Sequence, residues 1–142
     1  MIRRLALADA ESLEEIIFQS GACFDKQAFS KFIKAQGNYA FGVFENNKVI
    51  GWAYCYLLLR PDGDRMLFLH SIDILKEFQN KGYGSQLIKH IADYARESGY
   101  SELFVITDKG NPSACRIYEK AGGKNDFEDE IVYVIDFLER GK

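Results

Sequence analysis

Apolar residues along the first third of the chain fall at helical spacing, and near Tyr39 the spacing shifts to that of strands. Leu13, Ile16, Ile17 and Ser20 share one face of a helix for which Asp9 stands at the cap and Gly21 at the stop. A second helix is predicted over residues 25–36, with Phe29, Phe32 and Ile33 on one face. "YAFGVFENNKVIGWAYCYLLL", rich in β-branched and aromatic residues, then reads as two strands joined at Asn46 and Asn47. Both are of a residue type that tolerates the positive φ of a tight hairpin. "RPDGD" is a turn, so "MLFLHSIDIL" is expected to return antiparallel. Helical spacing resumes over residues 84–98, where Leu87, Ile88, Ile91, Ala92 and Ala95 form a stripe that Gly99 ends. "LFVI", residues 103–106, is a continuous apolar run, the pattern of a strand covered on both faces. Asn111 caps a last helix with Pro112 at its first position and Ala114, Ile117, Tyr118 and Ala121 on its stripe. A final strand over residues 131–137 closes the predicted domain. Strand, helix, strand, helix in the second half implies a parallel crossover in a sheet whose first half is antiparallel.

Composition narrows the class. With 142 residues and 47% apolar character, the chain has material for one packed core, so residues 1–142 read as a single domain. A net charge of -3 without a long basic run argues against a nucleic-acid partner. Acidic residues follow the start too early for a secretory leader, and no apolar run reaches membrane-spanning length; the expected compartment is the cytoplasm. Three cysteines, Cys23, Cys55 and Cys115, stand at unpatterned spacing, which favours reduced, partly buried thiols over a disulfide framework. Neither His70 nor His90 belongs to a ligand pattern, so no metal is expected.

"EFQNKGYGSQLI" puts Gly82 and Gly84 at the mouth of the third helix. A helix start carries free N–H groups and a partial positive charge, and bare backbone there lets a phosphate come close. The P-loop and dinucleotide spacings both fail: no Gly-Lys-Ser/Thr ends the loop, and Leu87 stands where a third glycine is needed. Gln79, Gly82 and Gly84 match the Q/R-x-x-G-x-G/A motif of the GCN5-related N-acetyltransferase superfamily. About thirty residues on, "NPSACRIYEKAGG" resembles that family's N-x-x-A-x-x-x-Y-E-K-x-G motif. The resemblance is specific over residues 39–122 and agrees in layout before that.

It implies an α+β fold of GNAT type: a mixed, mostly antiparallel sheet flanked by about four helices, with a splayed parallel strand pair holding the cofactor. It implies acetyl-coenzyme A as acyl donor, with a pyrophosphate bound by main-chain amides of the loop formed by Gln79, Asn80, Lys81, Gly82, Tyr83, Gly84 and Ser85. Ile72, Asp73 and Ile74 are placed along the pantetheine arm, with the Ile74 amide as oxyanion donor, and Asn111 matches a cofactor-contacting asparagine. Tyr118 matches the residue that protonates the departing thiolate. His70 resembles a base position used by some arylalkylamine acetyltransferases, with Asp73, Glu102 or a water chain as alternatives. By strict alternation Phe68, His70, Ile72 and Ile74 share one strand face and Ser71 and Asp73 the other, a parity that a bulge would change.

Carboxylates in three segments, Asp62 with Asp64, Asp108, and Glu128 with Asp129 and Glu130, would favour a cationic amine if they ring a cleft. Length, layout and the final "VYVIDF" also resemble, more loosely, the aminoglycoside 3-N-acetyltransferase branch. Small aminosugars or polyamines are therefore the expected acceptors. A protein or peptide amine, or a coenzyme A sensor without turnover, are the rival readings. Family members commonly carry Gly-Phe after Tyr-Glu-Lys and a longer closing hairpin; here Gly122 and Gly123 lead into a brief tail. The acceptor-side wall is either open or completed by a second subunit in a homodimer.

Overall fold

The structure is a computed structural model that describes residues 1–127 and 129–138. Its strands are β1 (Ile2–Arg4), β2 (Asn38–Glu45), β3 (Lys48–Leu59), β4 (Arg65–Ile74) and β5 (Glu102–Val105), joined in that order into one sheet. The first three pairings are antiparallel and β4 with β5 is parallel, connected through α3 (Tyr83–Glu97). The remaining helices are α1 (Glu14–Gln19), α2 (Lys26–Lys34) and α4 (Pro112–Lys120). This is the mixed α+β architecture expected. Asn46 and Asn47 both adopt left-handed φ, 51° and 63°, so the β2–β3 hairpin closes in a turn whose twist matches its strands.

One sheet face packs on α3. Phe41, Ala53, Cys55, Leu67 and Leu69 are buried there, facing Leu87, Ile88, Ile91 and Ala95 of the helix stripe. Each large side chain so covered contributes roughly 1.5–3 kcal/mol. Burial also pushes the Cys55 thiol up to about 12, whereas Cys23 is exposed rather than partly buried.

Three expectations need correction. Asp9 does not precede the first helix but lies inside a 3-10 segment, Leu7–Leu13, that leads into α1. The unpredicted β1 is the reason: Arg3, held in that strand, draws the Asp9 carboxylate to 2.9 Å, and the same carboxylate accepts from the Ala6 N–H at 2.8 Å. Strand β5 is an edge strand with half-buried residues, not one covered on both faces. Residues 131–137 form no strand and lie open, Tyr133 at 86% and Phe137 at 91% exposure. Strand preference is a preference for neighbours to pack against, and this segment has none from the core. Among the described residues no helix is long and apolar enough to cross a membrane.

Candidate active site

Strand β4 parts from β5 midway. Their ladder runs from Met66 opposite Glu102 to Leu69 opposite Val105, after which β4 continues through Ile74 along β3 alone. The Leu75 N–H turns toward β3 and donates to the Ile50 carbonyl at 2.8 Å. Alternation then aims the Ile74 N–H the other way, into the gap. The Ile74 carbonyl on that side accepts from Gln79 Nε2 at 2.9 Å and from Gln19 Nε2 at 3.0 Å, while Gln19 Oε1 accepts from the Lys76 N–H at 2.7 Å. Gln79 thus pins the strand end to the glycine loop, and Gln19 pins it to the end of α1. Gln19 was not anticipated, because an exposed polar residue near a helix end carries no pattern of its own.

The two glycines do different work. Gly82 has φ of 91° and, following Asn80 at φ of 62°, turns the chain sharply into α3. It caps the helix without a side chain, and a Cβ built on it would find nothing closer than Gln86 Nε2 at 4.0 Å. The first-turn N–H groups are therefore approachable, with the exposed Lys81 beside them. This cradle suits a diphosphate: uncapped amides, a helix dipole and a neighbouring cation. Gly84 serves packing instead, since a Cβ there would lie 3.2 Å from Ile117 Cδ1 of α4 and 3.9 Å from Ile74. The Tyr83 hydroxyl donates to Glu45 and ties the same turn to the β2–β3 hairpin.

Helix α4 starts as expected, with Asn111 Oδ1 accepting from the Ala114 N–H at 3.2 Å and Pro112 following. The cap uses only the oxygen of that amide, so its NH2 group is the part a cofactor would meet. Ile117 brings α4 against the α3 mouth at Gly84, which also lies near Ile74 at the end of β4. Its neighbour Tyr118 is half-buried; burial first, then Cys115, pushes the phenol above its usual value and keeps it protonated near neutral pH.

Parity along β4 is not strict. Tyr54 pairs with Ser71 and Cys55 with Leu69, so His70 is the extra residue of a β-bulge. Phe68, His70, Ser71 and Asp73 consequently share one face, opposite the expected grouping for Ser71 and Asp73, while Ile72 and Ile74 point to the α3 side with Leu69. On the first face His70 stacks on Tyr54 at 5.1 Å, Tyr54 lies 5.1 Å from Trp52, and Phe68 stacks on Phe104 at 4.9 Å. Asp73 stands directly opposite Trp52, with burial raising its carboxyl pKa. The stripe Trp52, Tyr54, Tyr56 was readable as an i, i+2, i+4 aromatic series. Only its strand character was drawn from the sequence.

The acidic ring does not assemble as expected. Asp62 and Asp64 pair with Arg60 at 2.7 and 3.8 Å within their own turn, and Asp108 folds back on the Gly110 N–H. Short-range partners outcompete a distant cleft for these carboxylates. Asp129 and Glu130 are exposed in the tail, and Glu128 lies outside the described residues. Among the described residues no group of three or more metal-binding side chains stands together.

Residues 6–123 match the profile of the acetyltransferase (GNAT) family. Thialysine N-epsilon-acetyltransferase of Sus scrofa is 25% identical over 134 residues, spanning 92% of this chain and 78% of that protein. Streptothricin acetyltransferase A of Bacillus subtilis is 26% identical over 89 residues, 63% of this chain and 49% of its own length. An aminoglycoside acetyltransferase from an uncultured soil metagenomic sample, solved with sisomicin, superposes with a TM-score of 0.82 at 22% identity, covering 98% of this chain and 96% of that one. An aminoglycoside N-acetyltransferase solved with CoA gives 0.77 at 19% identity, covering 96% and 99%. At that identity the structures speak for the fold.

Proposed function

Because the chain belongs to the acetyltransferase (GNAT) family and is an N-acetyltransferase, we propose that it moves an acetyl group from acetyl-coenzyme A to the primary amine of a small cationic acceptor. Aminoglycosides and polyamines are the first acceptors to test. The observation that carries the donor assignment is the gap between β4 and β5, bounded by the uncapped α3 mouth.

Acetyl-coenzyme A, when bound, supplies a thioester carbonyl as electrophile. The loop amides around Gly82, with Lys81, hold the diphosphate, and Ile72, Asp73 and Ile74 lend main chain to the pantetheine arm. Asn111 contributes its side-chain NH2. The Ile74 N–H faces the gap and supports negative charge on the carbonyl oxygen as the amine attacks. The amine must be neutral to react, and a Lys-like amine near 10.4 is neutral in only about one molecule in a few thousand at pH 7. That proton must therefore be taken up, and His70 and Asp73 are the side chains on the face beside the gap that could take it, with Glu102 or a water chain as alternatives.

Tyr118 donates a hydrogen bond to the sulfur as the C–S bond breaks. A thiol near 8.5 and a phenol near 10 make full proton transfer uphill by roughly 2 kcal/mol, and burial of Tyr118 widens that gap. Its contribution is a hydrogen bond that strengthens as charge develops, with the proton supplied in full only on release.

The test is a panel of amines with acetyl-coenzyme A, read by free thiol. Release that depends on a small amine is expected. Release with peptides alone would move the acceptor to protein amines, a reading favoured by the open side that the exposed tail leaves. Tight cofactor binding without release from any amine would leave a sensor.

A further inference from the structure

The sheet face beside the splay favours a small cationic acceptor other than the aminoglycosides and polyamines that the sequence resemblance implies. Trp52, Tyr54 and Tyr56 alternate along β3, all half-exposed, and His70 lies exposed against Tyr54 with ring planes 20° apart. Phe32 of α2 closes edge-on over Tyr54 and Tyr56, each at 5.7 Å. These rings form a wall of aromatic surface whose polar groups, the Trp52 N–H, the Tyr54 and Tyr56 hydroxyls and the His70 nitrogens, sit at the ring edges. At its cofactor end stands one carboxylate, Asp73, opposite Trp52 and one residue before Ile74. The next acidic residue at this ladder, Glu102, lies at the far end of β4, opposite Met66. Asp62 and Asp64 are already held by Arg60.

A polycation or an aminosugar carries several ammonium groups and calls for several carboxylates at spaced positions. Among the described residues this face offers one carboxylate and a stack of rings. Aromatic surfaces attract flat rings through offset stacking and cations through the ring quadrupole, and a single carboxylate fixes where one ammonium comes to rest.

We infer that the face bearing Trp52, Tyr54, His70 and Asp73 receives a primary amine carrying one ammonium on a flat ring, an arylalkylamine. The ring lies against Trp52 and Tyr54, and the ammonium meets Asp73, which sets the nitrogen beside the gap next to Ile74. The bulge at His70 is what makes this possible, because it brings Asp73 to the ring-bearing face. This assignment rests on the reading of the splay as the donor site, and binding can be measured apart from transfer.

Trp52 is the chain's one tryptophan, so its emission, excited where phenylalanine-type rings do not absorb, reports on the wall directly. Phenethylamine, hexylamine, spermidine and kanamycin are titrated into the coenzyme A-loaded protein, and the same amines are assayed for thiol release from acetyl-coenzyme A. Phenethylamine is expected to change the emission and to bind about tenfold tighter than hexylamine. Tyr54→Leu should abolish that preference without altering coenzyme A affinity, and Tyr54→Phe, which keeps the ring, should retain it. Tighter binding of spermidine or kanamycin, or a phenethylamine preference that survives Tyr54→Leu, overturns the proposal. Thiol release with spermidine and no ring preference would sink it while leaving the acetyltransferase reading intact. Phenethylamine binding with no release from any amine would support the ring site and remove transfer to a small amine.

Discussion

The proposed donor and acceptor sides of the site are built from different materials. On the donor side the groups that matter are peptide amides and a strand end, placed by a left-handed glycine, a short loop and two glutamine braces. On the acceptor side they are side chains, and which of them face the site depends on a single extra residue in β4. A backbone site tolerates many side chains and fails when a Cβ intrudes. A side-chain site changes its preference with each substitution while the fold persists. One half is thus suited to a constant ligand and the other to a variable one.

Substitutions can break that contrast, and the largest effect belongs to the chemistry between the halves. Tyr118→Phe should lower kcat between about 10- and 1,000-fold with acetyl-coenzyme A affinity unchanged. Unaltered turnover would return Tyr118 to a packing role. Next, Gly82→Val places a branched side chain at a φ of 91° in the open space at the α3 mouth, and should weaken acetyl-coenzyme A about 10- to 100-fold by calorimetry. An unchanged affinity would mean that the amides are not the diphosphate site.

Asp73→Asn should raise the KM for a cationic amine about tenfold and leave the cofactor Kd alone. The same variant carries a pH signature. Burial raises the Asp73 pKa from its usual 3.8, so the folded chain holds that proton more tightly than the unfolded one. Stabilisation from this source is complete below the unfolded value and is lost as pH rises through the folded value. Asp73→Asn should therefore raise Tm relative to wild type by a few degrees at pH 7 and by less at pH 3.5, and a shift of the opposite sign would show that Asp73 is paired. The smallest effect is expected at Gly84→Ala, where the added methyl crowds Ile117. It should cost about 1 kcal/mol in denaturant unfolding, with a much weaker effect on cofactor affinity than Gly82→Val. Equal losses at both glycines would erase the distinction between them.

How far the sequence could be read follows the same division. The hairpin at Asn46 and Asn47, the cap at Asn111 and the α3 mouth are local, each encoded within a few neighbouring residues, and they stand where expected. Strand β1 was missed because three residues are too few to display a period. Asp9 was misplaced because its partner, Arg3, belongs to that strand. The face occupied by Ser71 and Asp73 was misassigned because a bulge is a property of two strands in register, and alternation along one strand carries no mark of it. Asp62 and Asp64 looked like part of a ring when their nearest cation, Arg60, was already beside them.

The tail beyond α4 has one more bearing, on how the chain keeps company with its own copies. "IVYVIDF" has no proline or glycine and a β-branched or aromatic residue at six of its seven positions, the composition from which cross-β stacks grow. With its apolar side chains in water, such a stretch is held apart from neighbouring molecules by the charges around it, here Asp129, Glu130 and Asp136. Asp129 and Glu130, first read as bait for a cation, together with Asp136 stand where charged residues guard apolar strands against stacking.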